Sequence, residues 1–273
     1  MATFDFQGKS VYFETHGEGR PLVVLNGIMM SAASWSEFVE PFSANNQLIL
    51  LDLLDQGRSD KMVGEVYTQE IQVEVVAALV AELGLEKVSV LGISYGGEVA
   101  LQLVLKYPEL IDRLMLFNTT AATGPWLGDI GDGWNKALDD AEAYYYTTIP
   151  IIYSPAFYKG NREWMENRKE LLCSTVFNNP DFMGSMERLT NSAAGYDVSN
   201  RLSEISAPTL VVSAQQDYLT PIEEQQKIVA GIPSSHYAII PGSGHASMYE
   251  QPVLFCALAL GFLNNTKTEF HIV

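Results

Sequence analysis

A serine framed by glycines, Gly92-Ile93-Ser94-Tyr95-Gly96, is the most chemically suggestive stretch of the chain. It follows an apolar run at residues 88–91 and precedes helically patterned residues 98–105, the strand–turn–helix setting that a nucleophile elbow requires. Side chains at positions 92 and 96 of so tight a turn would clash with neighbouring backbone, and the central serine is held in a strained conformation. At the start of a helix, Ser94 has the macrodipole and free N–H groups beside it, which favour an adjacent anion.

A serine hydroxyl is a poor nucleophile until a base takes its proton. Of the four histidines, His16 falls in an early turn, His236 starts a strand and His271 lies in the tail. His245 ends Pro241-Gly242-Ser243-Gly244-His245, a glycine-rich loop between the last strand and the last helix. From there an imidazole can reach over the sheet edge to Ser94. A carboxylate must then orient the ring and stabilise its cation. Asp217, just after the strand at 209–212, stands at the same edge. Asp52, Asp55 and Asp60 crowd one loop and are expected to hold a turn through Asp–Arg and backbone bonds. Glu250 is expected to fix a loop.

These groups need a scaffold, and the hydrophobic pattern supplies one. Strand-length apolar runs occur at 10–14, 21–25, 47–51, 88–91, 113–117, 209–212 and 237–240. Stretches with helical spacing fall between them at 32–42, 69–83, 95–106, 221–229 and 252–263. Strands apolar throughout and separated by helices imply an α/β fold, with a mostly parallel twisted sheet flanked by helices. Residues 122–200 differ. They carry no clear buried strand, read as helical and hold Trp126, Trp134 and Trp164 with several tyrosines. The expected organisation is a core of 1–121 and 201–273, with 122–200 as a helical cap over the strand ends where such sheets bind ligands.

Composition narrows the function. The chain has 273 residues, 47% of them hydrophobic and 18% charged, enough apolar surface to offset the entropy of folding. Its formal net charge of −17 repels phosphate backbones and anionic lipid, so neither nucleic acid nor membrane is expected as a partner. Cys173 and Cys256 show neither metal-ligand nor redox spacing, and Cys256 is expected to be a buried, inert thiol. Residues 1–9 are polar and mixed, unlike a secretory leader, and the longest apolar run, 253–263, is too short to span a bilayer. The expectation is a soluble, cytoplasmic protein. No metal cluster and no phosphate loop appears in the pattern, and a covalent route through Ser94 needs no cofactor.

With these motifs in view, the chain resembles the α/β-hydrolase fold superfamily, over nearly its whole length. The likeness rests on Asn26-Gly27-Ile28 after an early strand, the loop from Asp52 to Ser59, the elbow, Asp217, Gly242-Ser243-Gly244-His245 and Glu250-Gln251-Pro252. The order Ser94, Asp217, His245 is that family's order. Some members carry the acid after the preceding strand, but here that strand runs into Phe117-Asn118-Thr119-Thr120, without a carboxylate. The resemblance implies a Ser–His–Asp triad and an oxyanion hole built from the backbone N–H groups of Ile28 and Tyr95. The expected substrate is a carboxylic ester or thioester of a small to medium apolar acyl group, taken up through a Ser94 acyl-enzyme.

Two alternatives stay open. Where many members have His-Gly, this chain has Asn26-Gly27, and the loop with Met29 is similar to bacterial acyltransferases that act on hydroxyacyl thioesters. The same fold also serves as a non-catalytic small-molecule receptor. Asn26, Met29, Trp126 and Trp134 are the expected substrate contacts, on the argument that aromatic and thioether side chains near the mouth suit an apolar acyl group.

Overall fold

The computed structural model describes residues 2–265, so His271 lies outside the described residues. The apolar runs pair into one eight-stranded sheet: β1 (Ala2–Phe6), β2 (Lys9–His16), β3 (Arg20–Leu25), β4 (Asn46–Leu51), β5 (Val88–Ile93), β6 (Ile111–Phe117), β7 (Thr209–Ala214) and β8 (Ser235–Ile240), in the order β1-β2-β4-β3-β5-β6-β7-β8. Only β2 runs against its neighbours. β5 is buried along its whole length, as expected of a central parallel strand covered on both faces.

Helices pack on either side. α1 (Val39–Ser43), preceded by a 3₁₀ turn over Ala32–Phe38, and α11 (Pro252–Asn264) lie against one face, where Trp35, Phe42, Phe117 and Phe255 form an aromatic cluster. α2 (Glu70–Glu82), α3 (Tyr95–Lys106) and α9 (Ile222–Gly231) cover the other. Between β6 and β7 run α4 (Pro125–Lys136), α5 (Ala141–Ile152), α6 (Pro155–Gly160), α7 (Arg162–Leu171) and α8 (Pro180–Ser192); short α10 (Ser247–Glu250) follows β8. The ends of that helical segment are pinned together: Ala122 bridges Asp197, Thr123 N–H donates to the Tyr196 carbonyl and Val198 N–H to that of Ala121, both at 2.8 Å.

The first strand was not legible in the sequence. In β1 only Phe4 and Phe6 are buried, so its alternating side chains read as polar and mixed. A two-residue turn at Gln7 and Gly8, with φ of 53° and 82°, folds it back on β2. Cys256 is half-buried rather than enclosed, because only one stripe of α11 faces the sheet. No helix among the described residues is long and apolar enough to cross a membrane.

Candidate active site

Ser94 follows β5 directly and adopts φ 53°, ψ −122°, a region that costs a non-glycine residue energy unless its surroundings enforce it. The enforcement is visible on both sides. A Cβ at Gly92 would stand 2.5 Å from the Gly96 carbonyl oxygen, and one at Gly96 would stand 2.2 Å from that of Leu25. The turn therefore seats itself against the end of β3. Ser94 N–H donates to the Phe117 carbonyl, and Thr119 Oγ1 donates to the Ser94 carbonyl at 2.8 Å.

The strand ends deliver the other groups. Asp217, after β7, is buried, and its Oδ2 lies 2.8 Å from His245 Nδ1, from the loop after β8. The same oxygen accepts from the Asn118 amide at 2.9 Å and from Thr220 Oγ1 at 3.0 Å, while Oδ1 accepts from the N–H groups of Leu219 and Thr220, both at 2.9 Å. Burial works to raise the Asp217 carboxyl, yet the imidazole's charge and these hydrogen bonds outweigh it and leave the carboxyl below its ordinary value. Glu250 fixes the histidine loop, accepting from Gly244 N–H and from both the N–H and hydroxyl of Ser154.

Ser94 and His245 line the same cavity, and no hydrogen bond joins the hydroxyl to the imidazole. In unliganded sites such contacts often tighten only when substrate binds. The N–H of Tyr95, at the first turn of α3, and that of Ile28, in the turn closed by Met30 N–H on the Gly27 carbonyl, carry no backbone hydrogen bond among the described residues. Both are free to donate.

Two adjoining cavities, of about 120 and 110 Å³, share Ile28, Ser94, Trp134 and Leu219. The first is lined by Ile28, Leu127, Trp134 and Leu219, with Glu98, Asp132, Asn135 and Asn191 among them. Burial pushes the Glu98 carboxyl up to about 8, against the lowering effect of the hydrogen bond donated by Gln69. The second is lined by Met29, Ile149, Ile152 and Met248, with His245 and Arg168. Among the described residues, no group of three His, Cys, Asp or Glu is placed to hold a metal ion.

Two of the expected substrate contacts are not brought to these cavities. Asn26 is buried, its amide donating to the Leu51 carbonyl and to Gln56 and its oxygen accepting from Trp35 Nε1. With its hydrogen bonds met inside the protein, it braces the loop instead. Trp126 is 59% exposed on α4 and donates to the Tyr218 carbonyl. Asp52 accepts from the N–H groups of Ala32 and Arg58, whereas Asp55 pairs with Arg188 on α8. The expected bonds between aspartates and backbone thus hold the loop, and the Asp55–Arg188 pair ties it to the helical segment as well. Asn118, Thr220, Glu98 and Arg168 went unread as site residues. Only Asn118 left a signal, a polar residue closing a buried strand at a position with φ 49°, which Asn tolerates.

Comparison with known proteins identifies the fold. Residues 20–252 match the family model for the alpha/beta hydrolase fold. A solved alpha/beta hydrolase enzyme from a Medee basin deep-sea metagenome library is 46% identical, covering 99% of this chain and 100% of its own, with a TM-score of 0.97. A protein of Agrobacterium fabrum named as a candidate carbamate hydrolase, RutD, is 29% identical over 93% of this chain and 98% of its own length. A thermophilic esterase from Thermogutta terrifontis is 25% identical, covers 96% of both chains and superposes with a TM-score of 0.82.

Proposed function

The chain belongs to the alpha/beta hydrolase fold family, and from that premise we propose that it is a serine hydrolase cleaving a small ester or thioester through a Ser94 acyl-enzyme. The observation that carries this reading is the 2.8 Å contact of His245 with a buried Asp217, in a cavity that Ser94 also lines. Ser94 Oγ attacks the carbonyl carbon as His245 Nε2 takes its proton. Asp217 holds the ring by Nδ1–H and balances the imidazolium. The carbonyl oxygen, now negative, is met by the N–H groups of Ile28 and Tyr95, each worth about 3–4 kcal/mol to the transition state. Collapse expels the leaving group, which takes the proton from His245. Water, deprotonated by the same imidazole, then releases the acid and restores Ser94.

The compact cavities favour short acyl groups over long chains. The similarity to RutD makes a carbamate carbonyl a second substrate class for the same machinery. The acyltransferase alternative leaned on Asn26, whose side chain is spent on internal hydrogen bonds, so water is the acceptor we favour. The test is a fluorophosphonate label with a panel of p-nitrophenyl esters, acyl thioesters and aryl carbamates. The expected result is an adduct on Ser94 and turnover of short acyl esters that Ser94→Ala loses. Folded protein that takes no label, or turnover that survives in Ser94→Ala, overturns the proposal and favours a receptor.

A further inference from the structure

We infer that the second cavity takes a substrate bearing a carboxylate remote from the scissile carbonyl, with Arg168 of α7 as the group that recognises it. The inference deepens the hydrolase reading and rests on it for the identity of the reacting end.

Arg20, Arg58, Arg113, Arg162, Arg188 and Arg201 each lie against a carboxylate. Among the described residues Arg168 has none, although acidic residues outnumber basic ones 33 to 16. Its Nε is buried without a hydrogen-bond partner, a costly condition for a charged donor unless a ligand meets it. The aromatic rings of Trp164 and Tyr249 lie 5.2 and 5.9 Å from the guanidinium carbon. Such contacts hold the cation, and apart from the hydrogen bond to the Tyr153 hydroxyl its N–H rim remains to donate, Nε included. Glu250, near enough to Tyr153 to act on it alongside Arg168, already spends its two oxygens on Ser154 and Gly244.

The lining sets the ligand's charge. The second cavity contains Arg168 with no Asp or Glu, whereas the first contains Glu98 and Asp132 with no Lys or Arg. An anionic end is thereby drawn to the second cavity, because the first offers no cation, only the charge of Asp132 and a Glu98 whose carboxyl, raised to about 8, keeps its proton near neutral pH. One planar guanidinium matches a monoanionic carboxylate in charge and shape, and it leaves a phosphate dianion half neutralised.

The test compares mono-p-nitrophenyl glutarate with p-nitrophenyl pentanoate, equal in chain length, and reads the ratio of their kcat/KM values. Arg168→Gln should lower that ratio about tenfold or more, chiefly through KM, and Arg168→Lys should keep part of it. Circular dichroism checks that both variants fold. A ratio that moves less than about twofold in both overturns the inference. Calorimetric titration of wild type and Arg168→Gln with glutarate reads the subsite without turnover. Binding weakened by the substitution supports the inference even if neither ester is cleaved, an outcome that would sink the hydrolase reading alone. Equal binding, or tighter Arg168-dependent binding of inorganic phosphate, overturns it.

Discussion

The Asn118 amide donates, at 2.9 Å, to Oδ2 of Asp217, the same oxygen that His245 Nδ1 meets at 2.8 Å. Asn118 is itself held, its oxygen accepting from Ser247 Oγ at 2.8 Å and its N–H donating to the Val212 carbonyl. The strand whose C-terminal end lacks a carboxylate thus supplies, just beyond it, an amide that orients the carboxylate following the next strand.

Asn118→Ala should therefore slow turnover about tenfold, with KM nearly unchanged, as an oriented hydrogen bond to a charged group is lost. It also has a pH signature. Because Asp217 is held below its ordinary value, it adds stability that is full above the unfolded-state value and lost as pH falls through the folded one. Removing the amide raises the folded value, so acid unfolding, followed by tryptophan fluorescence, should begin at a higher pH than in wild type. An unchanged acid midpoint would count against the role.

Asp217→Asn presents an amide to the N–H groups of Leu219 and Thr220, to the Asn118 amide and to His245 Nδ1. The imidazole loses the partner that selects its tautomer, and kcat should fall about 10⁴-fold. Steady-state kinetics on p-nitrophenyl pentanoate checks this; a loss under tenfold would remove Asp217 from the triad.

Glu98 makes the opposite pH prediction. With its carboxyl raised to about 8, the folded state keeps a proton that the unfolded chain releases from its ordinary carboxylate value upward. Stability should thus fall by about 1.4 kcal/mol per pH unit between those two values and level off above the higher. Glu98→Gln keeps an acceptor for Gln69 and removes this burden. Its gain in Tm over wild type should be larger at pH 8 than at pH 5, by differential scanning calorimetry.

Arg188→Met leaves the fully buried Asp55 carboxylate without its cation, with only Tyr67, Ser185 and Met62 N–H as remaining donors. Urea unfolding should show a loss of about 3–5 kcal/mol. The double variant Asp55→Asn/Arg188→Met should recover part of it, since the stranded charge is then gone.

The strands and helices of the core were legible because burial on both sheet faces writes itself as uninterrupted apolar runs, and amphipathic helices as a 3.6-residue stripe. The predicted strand at 88–91 and the observed Val88–Ile93 differ only where the chain bends into the elbow. β1 was missed because an edge strand with one apolar face carries half that signal. Among the aromatics of 122–200, composition could not separate Trp134, which lines both cavities, and the buried Tyr144 from Trp126 on the surface. Large side chains close a small helical lobe and line a pocket equally well.

Ser94, Asp217 and His245 could be named from the chain because each sits at a strand end, and local pattern locates strand ends. Local pattern says nothing of which donors converge on a carboxylate from elsewhere. That Asn118 shares Asp217 with His245 across 99 positions of sequence, that Asn26 turns inward to Trp35 and that Arg168 stands without a carboxylate were decided only in the packed molecule. There, hydrogen-bond partners and dielectric are set by neighbours in space rather than along the backbone.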